Sequence, residues 1–376
     1  MPESVLLAGG GTAGHVNPLL AVADELRARD ASTRITVLGT AEGLEADLVP
    51  ARGHTLVHVP RVPLPRRPSA ELFSVPSRLR AAVRAAEDAI VEAEARVVVG
   101  FGGYVSTPAY LAARRRGVPV VVHEQNARPG LANRLGARRA AVVAVTFPGT
   151  PLRGARLTGL PLRREIATLA LARRTDALAA RREAAATLGL DPDRTILVVT
   201  GGSLGAQSLN AAMAGAAAAL ADLGPGRPQV LHLTGRGKDA DVRAAVGAAG
   251  LGGDYVVAEY LLEMERALAV ADLVLCRAGA GTVAELTALG IPAAYVPLPI
   301  GNGEQRLNAQ PAVDAGGGLL IEDRLLSPAW VGSTLLPLLG DRARREEMAA
   351  AAKRVGRPGA TAAVVDLVLA AAGGAR

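Results

Sequence analysis

Cysteine, aromatic residues and long apolar runs are scarce in this chain, and each scarcity excludes a class of protein. Cys276 is the only cysteine among 376 residues, so an internal disulfide is impossible and a reducing compartment is expected. Half of the residues are apolar, yet no run approaches the ~18–20 consecutive apolar residues of a membrane span. The N-terminus has no basic region before its short apolar run, which predicts a first strand rather than a signal peptide.

Lysine is also scarce, although the chain is basic. Lys238 and Lys353 are the two lysines among 42 basic residues, and the others are arginine. A net charge of +7 and a pI near 10.2 favour an anionic partner, which could be a nucleic acid, a phosphorylated substrate or an anionic membrane. Aromatic residues make up 2%, so stacking platforms for single-stranded nucleic acid are few. Charge alone does not choose among these partners.

Motifs for metal binding and nucleophilic catalysis are missing or poorly placed. Asp191 and Asp193, like Asp239 and Asp241, have the D-x-D spacing that some sugar transferases use to hold a divalent ion. The first pair precedes a strand, and the second opens a helix, where acids are favourable anyway. No nucleophile elbow, Walker lysine or C-x-x-C occurs. We therefore expect no metal and no cofactor, and we expect Cys276 to serve in packing.

Glycine-rich turns follow apolar segments that have the pattern of buried parallel strands. The turns at 9–15, 102–108, 201–206 and 279–282 follow predicted strands at 4–8, 96–100, 195–199 and 271–275. A helix that begins at such a turn presents unpaired backbone N–H groups and a positive dipole end, which together make an anion site. We predict helices from Pro18, Ser208 and Thr282.

The two halves of the chain repeat this plan of strand, glycine turn and helix. The sequence therefore predicts an α/β fold with two Rossmann-like domains facing a cleft, and a ligand at the carboxyl edges of the two sheets. The predicted domains are residues 1–162 and 163–358, and a final helix in 359–376 is expected to pack back on the first domain.

His15 is the first candidate for a chemical role. A neutral imidazole at a helix N-terminus has its charged form disfavoured by the helix dipole, which suits a general base. The alternative is that His15 caps the turn or holds a phosphate. The remaining histidines lie in or beside predicted strands, where structural roles are expected: His54, His58, His123 and His232.

Two further stretches concentrate polar side chains at predicted strand ends. The strand at 119–123 ends in His-Glu-Gln-Asn at 123–126, which is more polarity than structure alone requires. In the second half, Glu285 lies one turn inside a helix, where its carboxylate can accept hydrogen bonds from a sugar's vicinal hydroxyls. The loop at 297–305 adds Asn302, Glu304 and Gln305.

Residues 60–84 differ in character from the rest of the chain. Prolines interrupt them, six arginines face one glutamate, and an apolar cluster lies among these charges. Such a basic rim around exposed apolar groups predicts contact with an anionic bilayer, each surface arginine contributing ~1 kcal/mol. The alternative is an ordinary loop and helix whose apolar face is core. The predicted membrane patch is Leu72, Phe73, Val75, Arg78, Leu79 and Arg80.

Five motifs, taken together and in order, closely resemble the MurG family. They are GGTAGH (10–15), GGYVS (102–106), HEQN (123–126), GGSLGA (201–206) and RAGAGTVAE (277–285), followed by Glu304 and Gln305. That family comprises the UDP-N-acetylglucosamine: undecaprenyl-diphospho-muramoylpentapeptide transferases of peptidoglycan synthesis. The resemblance spans nearly the whole chain and implies the glycosyltransferase type B fold, an inverting mechanism and no metal requirement.

The resemblance also implies roles for individual residues. Thr12, Ala13, Gly14 and Asn126 would face the transferred sugar and diphosphate, and Tyr104 and Asn133 would lie on the acceptor side. Arg163 would lie beside the nucleotide, Ser203 would contact the diphosphate, and Leu261 would contact the uracil through its backbone. Ala280, Gly281, Thr282, Val283, Ala284 and Glu285 would wrap diphosphate and ribose, and Gln305 would bind the hexosamine hydroxyls. His15 is the first candidate base, and Glu124 is the second.

Three positions depart from the pattern of the family. Ala13 replaces a common glycine, Leu160 stands where asparagine is frequent, and Glu304 replaces a common glutamine. Ala13 is harmless if its φ is negative. Glu304 leaves in question only the individual hydroxyl contacts, since Gln305 remains.

The implied reaction is a single in-line displacement in which the muramoyl C4 hydroxyl of lipid I attacks the anomeric carbon of UDP-N-acetylglucosamine. The expected partners are UDP-N-acetylglucosamine, lipid I and anionic inner-leaflet lipids, and the expected location is the cytoplasmic face of the membrane.

Three rival functions remain open from the sequence. A nucleotide-sugar epimerase of the same fold would need no membrane patch. An NAD(P)-dependent oxidoreductase would use the G-x-G-x-x-G of Gly9, Gly11 and Gly14, but it needs a charged residue closing the second strand, which ends in Gly39-Thr40. A nucleic-acid-binding protein would explain the pI but would leave the glycine turns without a role.

Overall fold

The computed structural model describes residues 4–62 and 74–374. The chain forms two compact units. The first comprises Met1–Arg163 together with Gly359–Arg376, and the second comprises Arg164–Pro358. Each unit is a parallel sheet covered by helices, so the predicted α/β class with two Rossmann-like domains is confirmed.

Within the described residues, the first unit contains a seven-stranded parallel sheet in the order β3-β2-β1-β4-β5-β6-β7. Its strands are β1 Ser4–Ala8, β2 Arg34–Gly39, β3 Thr55–His58, β4 Val97–Gly100, β5 Val120–Glu124, β6 Val142–Val145 and β7 Ala155–Leu157. Its helices are α1 Ala13–Arg29, α2 Glu45–Ala51, α3 Val75–Glu92, α4 Ser106–Arg116 and α5 Leu131–Ala137. The central strands are runs of valine and leucine that are buried on both faces, as a parallel sheet requires.

The second unit contains, within the described residues, a six-stranded parallel sheet in the order β10-β9-β8-β11-β12-β13. Its strands are β8 Ile196–Thr200, β9 Gln229–Leu233, β10 Tyr255–Ala258, β11 Leu273–Cys276, β12 Ala293–Tyr295 and β13 Gly318–Leu320. Its helices are α6 Arg164–Thr175, α7 Ala177–Leu188, α8 Gln207–Gly215, α9 Ala217–Ala221, α10 Ala240–Ala248, α11 Met264–Val270, α12 Ala280–Leu289, α13 Glu304–Asp314, α14 Pro328–Trp330, α15 Leu336–Gly340 and α16 Arg342–Val355. A 3₁₀ turn, Asp323–Leu325, and a π-helical turn, Val331–Leu335, complete it.

The last helix, α17 Ala360–Gly373, belongs to the first unit. Val364, Val365 and Val368 are fully buried in the core that α1 forms on one face of the sheet. Arg29 of α1 donates to Asp366 at 2.5 Å on the exposed side. The opposite face of this sheet is covered by α3 and α4.

One helical stretch in the described part of the chain, Arg342–Gly373, is apolar and long enough by composition alone to cross a bilayer. Residues 356–359 interrupt this stretch, because α16 ends before them and the last helix begins after them. The apolar side chains of α17 are buried in the core of the first unit, so core packing accounts for its hydropathy.

The predicted helix starts are late. α1 begins at Ala13 rather than Pro18, because Thr12 has an extended φ of −134° and ends the preceding loop. Pro18 is therefore inside the helix, and His15 lies in its first turn. In the second unit, α8 begins one residue before Ser208 and α12 two residues before Thr282.

The packing of α17 makes a testable prediction about stability. Val365→Ala removes two buried methyl groups and leaves a cavity, so the first unit should lose about 2 kcal/mol of unfolding free energy. Asp366→Ala, the next residue on the exposed face, should cost at most about 1 kcal/mol because surface ion pairs contribute little. Denaturant unfolding of both variants checks this, and equal losses would show that α17 is not docked on its apolar face.

Candidate active site

The strand order of each sheet reverses at one point, and the polar loops gather there. In the first unit the reversal lies between β1 and β4, and in the second it lies between β8 and β11. Open α/β sheets bind ligands outside the carboxyl ends of the strands at such a switch point. The glycine turns identified in the sequence follow these four strands.

The two loops of the first unit touch each other through glycine. Gly103 has φ +80°, and a Cβ there would lie 2.6 Å from the carbonyl oxygen of Gly10. Ser106, fully buried, accepts from the Gly102 N–H at 2.9 Å and lies 3.0 Å from the Ala8 carbonyl, to which it can donate. These contacts hold the β4–α4 loop against the end of β1. In the loop after β1, Thr12, Ala13 and Gly14 are exposed.

Glu45 is a buried carboxylate that the sequence analysis missed. One oxygen accepts from the Gly11 N–H at 2.8 Å, and the other accepts from the Thr40 N–H and hydroxyl, both at 2.8 Å. Burial alone would raise the pKa of Glu45, but the hydrogen bonds from Gly11 and Thr40 outweigh it, and the pKa is lowered. In a dinucleotide site an acid near this position would bind ribose hydroxyls. Here both oxygens of Glu45 accept hydrogen bonds from Gly11 and Thr40 of the protein itself.

His15 is half-buried in the first turn of α1. Its Nδ1 lies 3.1 Å from Oε1 of Gln125, which is 1% exposed. Its Nε2 makes no hydrogen bond with any described residue. Gly102 lies beside the imidazole, and a Cβ built at this position would be 3.1 Å from Cε1 of His15.

Glu124 and Asn133, predicted as the second candidate base and an acceptor-side residue, are both buried and hydrogen-bonded within the first unit. Glu124 is 2% exposed; one oxygen accepts from the Asn126 N–H, and the other accepts from the Gly130 N–H and the Asn133 side-chain amide. Asn133 is also 2% exposed and accepts from the Tyr110 hydroxyl at 2.7 Å. A carboxylate held by three donors inside the protein is a poor general base for an external hydroxyl.

The polar strand end at 123–126 therefore turns mostly inward. His123, Glu124 and Gln125 are buried, and Asn126 alone is half-exposed. Tyr104, in contrast, is 45% exposed, and the Arg61 guanidinium lies 5.3 Å from its ring centroid. Of the predicted residues in this unit, the structure brings His15, Asn126, Tyr104 and the loop at 12–14 to the carboxyl edge.

In the second unit, the β8 loop is held by another glycine contact. Gly205 has φ +67°, and a Cβ there would lie 2.1 Å from the carbonyl oxygen of Thr234. Lys238 donates to the Leu204 carbonyl at 2.7 Å. Ser203 is exposed at the tip of this loop, ahead of the N-terminus of α8.

The N-terminus of α12 has the geometry of an anion site. Gly279 caps it without a side chain, and no acid lies in its first turn. Gln305 accepts from the Ala278 N–H at 3.2 Å and from the Leu298 N–H at 3.0 Å, so its side chain joins the loops after β11 and β12. Its carbonyl oxygen is thus occupied, and its amide nitrogen is the group left to donate outward.

The remaining predicted residues of this unit differ in exposure. Gly281, Thr282, Ala284 and Glu285 are half-buried along α12, and so are Leu261, after β10, and Glu304, at the start of α13. Val283 is 2% exposed and packs in the core, so only its backbone can face a ligand. Arg163 is half-buried. The chain leaves the first unit after this residue and returns to it at Gly359.

A partly buried ion pair that the sequence analysis missed braces the second unit. Arg277 donates to Asp323 at 2.5 Å and to the Ser208 hydroxyl at 3.0 Å, and Ser208 in turn donates to Asp323. These contacts tie the end of β11 to the first turn of α8. The pair joins residues 46 positions apart, so local sequence patterns could not reveal it.

The D-x-D pairs lie in local structure. The Asp193 N–H donates to Asp191 in a turn, and Asp239 pairs with Arg243 one helical turn on. The described residues bring no group of three or more histidine, cysteine, aspartate or glutamate side chains together. Cys276 is fully buried, and burial raises the pKa of its thiol, as expected for a packing residue.

The two parallel-sheet units, together with their match to two family models, define a glycosyltransferase with two Rossmann-like domains. The chain matches the glycosyltransferase family 28 N-terminal domain over residues 5–145 and the family's C-terminal domain over residues 196–364. The chain belongs to glycosyltransferase family 28.

Two relatives and one solved structure extend this result. A protein of Frankia casuarinae is 56% identical over 98% of this chain and 96% of its own length. One of Streptomyces coelicolor is 53% identical over 97% of each. Both are named UDP-N-acetylglucosamine--N-acetylmuramyl-(pentapeptide) pyrophosphoryl-undecaprenol N-acetylglucosamine transferase. The crystal structure of Acinetobacter baumannii MurG superposes with a TM-score of 0.79 at 29% identity, over 98% of this chain and all of that one. The resemblance to the MurG family is confirmed.

A more distant likeness concerns the fold alone. A UDP-GlcNAc 2-epimerase from Neisseria meningitidis superposes with a TM-score of 0.70 over 98% of this chain, at 14% identity. Such a likeness does not transfer its activity.

Glu45 yields a prediction with a defined pH dependence. Because its folded pKa is lowered, it stabilises the protein above its unfolded pKa of ~4.3, and this contribution is lost as the pH falls through the folded value. Glu45→Gln should therefore cost about 2–3 kcal/mol at pH 7 and progressively less below pH ~4. Unfolding measured from pH 7 to pH 3 checks this, with exposed Glu42→Gln as the control. A difference in unfolding free energy between wild type and Glu45→Gln that stays constant with pH would contradict this prediction.

Proposed function

We propose that this chain transfers N-acetylglucosamine from UDP-N-acetylglucosamine to the C4 hydroxyl of the muramoyl sugar of lipid I, giving lipid II in peptidoglycan synthesis. The observation that carries the proposal is the 56% identity, over 98% of the chain, to a relative named for this transfer. The geometry of both switch points supports it.

The second unit supplies the donor site in this proposal. The free amides at the N-termini of α8 and α12 bind the diphosphate, with Ser203 beside them. Glu285 accepts from the ribose hydroxyls, and Leu261 contacts the uracil through its backbone. Gln305 presents its amide nitrogen to the hexosamine hydroxyls, because its oxygen is held by two backbone N–H groups.

The first unit supplies the base. His15 is favoured because its Nε2 has no hydrogen-bond partner among the described residues. Glu124 is disfavoured because three internal donors occupy it. Thr12, Ala13, Gly14 and Asn126 lie at the same edge of this unit and take the sugar and diphosphate in this proposal, and Arg163 takes the nucleotide.

The reaction is an inverting displacement in one step. The C4 oxygen forms a bond to the anomeric carbon, its proton passes to His15, and the bond to the diphosphate breaks with its electrons leaving on UDP. The loop amides at 201–206 and 279–282 stabilise the charge that grows on the diphosphate. No step draws on a metal ion.

The acceptor is a lipid, so the first unit should meet the membrane, peripherally and on the cytoplasmic face. Arg78 and Arg80 are exposed on α3 and Val75 is half-buried, whereas Leu72 and Phe73 lie outside the described residues. Leu79 is partly buried and packs against the core, so it offers less apolar surface to a membrane than the sequence suggested. The described residues instead expose Leu131 and Leu135, 71% and 40%, on α5 beside Arg134 and Arg138. α5 packs on α4, which packs on α3.

The proposed base is tested by transfer of labelled N-acetylglucosamine to a short-chain lipid I analogue in the presence of EDTA. Wild type should form product, and His15→Ala should lower kcat by ~10²–10⁴-fold, the usual contribution of a general base. Glu124→Gln keeps one side-chain oxygen, which can still accept from the Gly130 N–H and the Asn133 amide. This variant should therefore lower kcat far less.

Two outcomes would contradict this account. A change in KM alone would make His15 a binding residue. Release of free UDP together with an epimerised sugar, and no lipid product, would replace the transferase with an epimerase.

Membrane contact is tested by vesicle binding. Reversing the charge at Arg78 and Arg80 should weaken binding to phosphatidylglycerol vesicles by about 30-fold or more, from ~1 kcal/mol per basic residue. The same reversal at exposed Arg342 and Arg344, in the second unit, should have little effect. Equal losses in both pairs would indicate attraction by net charge rather than by this surface.

A further inference from the structure

A buried chain of hydrogen bonds leads from the backbone to the proposed base. It runs from the Gly159 carbonyl through His123 and Gln125 to His15. We propose that His123 and Gln125 are positioning residues that hold the proton of neutral His15 on Nδ1, so that Nε2 is the atom that accepts the acceptor's proton. This inference rests on the proposed function for its catalytic meaning, but the tautomer itself can be measured without any substrate.

The first anchor is the carbonyl of Gly159, which can only accept a hydrogen bond. His123 Nε2 lies 3.0 Å from it and must therefore carry a hydrogen. His123 is fully buried, and burial lowers its pKa to about 4, so the ring is neutral near pH 7 and has a single N–H. Its Nδ1 is consequently an acceptor.

The second anchor is the carbonyl of His123 itself. The Gln125 side-chain nitrogen lies 3.0 Å from this oxygen and 3.2 Å from His123 Nδ1. Both neighbours are acceptors, so the amide must present its NH₂ group to them. Two independent acceptors thus agree on one orientation of the Gln125 amide.

The orientation of Gln125 decides the state of His15. With the NH₂ group turned to His123, the oxygen Oε1 faces His15 Nδ1 at 3.1 Å. Oε1 cannot donate, so Nδ1 must carry the hydrogen and Nε2 keeps its lone pair. In the opposite tautomer Nε2 would hold a hydrogen and could not accept one.

The same contact suits the charged state that follows proton transfer. When Nε2 takes the proton of the C4 hydroxyl, Nδ1 still donates to Oε1, and the amide dipole faces the new positive charge. A Cβ at Gly102 would lie 3.1 Å from Cε1 and 3.3 Å from Nδ1 of His15, so the absence of a side chain there leaves the ring its place beside Gln125. No group in the chain has to rearrange during the step.

The tautomer can be read directly from two-bond ¹H–¹⁵N correlation spectra of the full chain with ¹⁵N-labelled histidine. His15 signals are assigned by comparison with His15→Ala, at a pH where the imidazoles are neutral. The expected result is an unprotonated Nε2 and a protonated Nδ1 in His15, and the reverse in His123. A His15 that carries its hydrogen on Nε2 would overturn the proposal.

Two substitutions separate the tautomer effect from simple loss of structure. Gln125→Leu and Gln125→Glu both remove the donor to His123, but only glutamate keeps an acceptor for His15 Nδ1. The leucine variant should lose the Nδ1–H signature, and its kcat should fall at least ~10-fold with a nearly unchanged KM for the donor. The glutamate variant should keep the signature and retain more of its kcat than the leucine variant.

The controls distinguish failure of this inference from failure of the proposed function. Gln310→Leu, at a partly exposed position of α13, should leave both readouts unchanged. Equal loss of kcat in the leucine and glutamate variants, with the His15 tautomer intact in both, would refute the positioning role. An intact tautomer signature in a wild-type chain that transfers no sugar would refute the proposed function and leave the hydrogen-bond chain standing.

Discussion

The close approach of neighbouring loops at the carboxyl ends of the central strands is the constraint on which both units depend. In the first unit the β4 loop touches the β1 loop at Gly103 and Gly10, and in the second the β8 loop touches the segment after β9 at Gly205 and Thr234. A side chain at either contact glycine would force the loops apart. Because the backbones can meet, the amides and side chains behind them converge on one edge of each sheet.

Buried and partly buried charged groups then hold these loops in place. Glu45 pulls the glycine loop toward the end of β2, Glu124 shapes the loop that carries Asn126, and Arg277 ties β11 to α8. Each of these charges is satisfied by several partners inside its own unit. In the proposed function, the amides at helix starts supply fixed dipoles for a diphosphate, and His15 supplies the base for a hydroxyl.

Local signals in the sequence were sufficient for the fold and for the sheet edge at which the candidate site lies. Apolar runs followed by glycine turns predicted the strands and the presence of a helix after each turn, although the helix starts were predicted one to five residues late. The roles of Glu45 and Gln125 depend on partners 34 and 110 residues away, which no local pattern records. Polarity at a strand end likewise predicts proximity to the sheet edge, but not that a side chain such as that of Glu124 turns inward.

The most direct test of the central claim is amide hydrogen exchange of the full chain with and without UDP-N-acetylglucosamine. The account predicts slower exchange on binding at 201–206 and at 279–282, where helix-start amides would donate to the diphosphate. Saturating donor that leaves both segments unchanged, or that protects only the opposite edge of the sheet at 191–195, would contradict it.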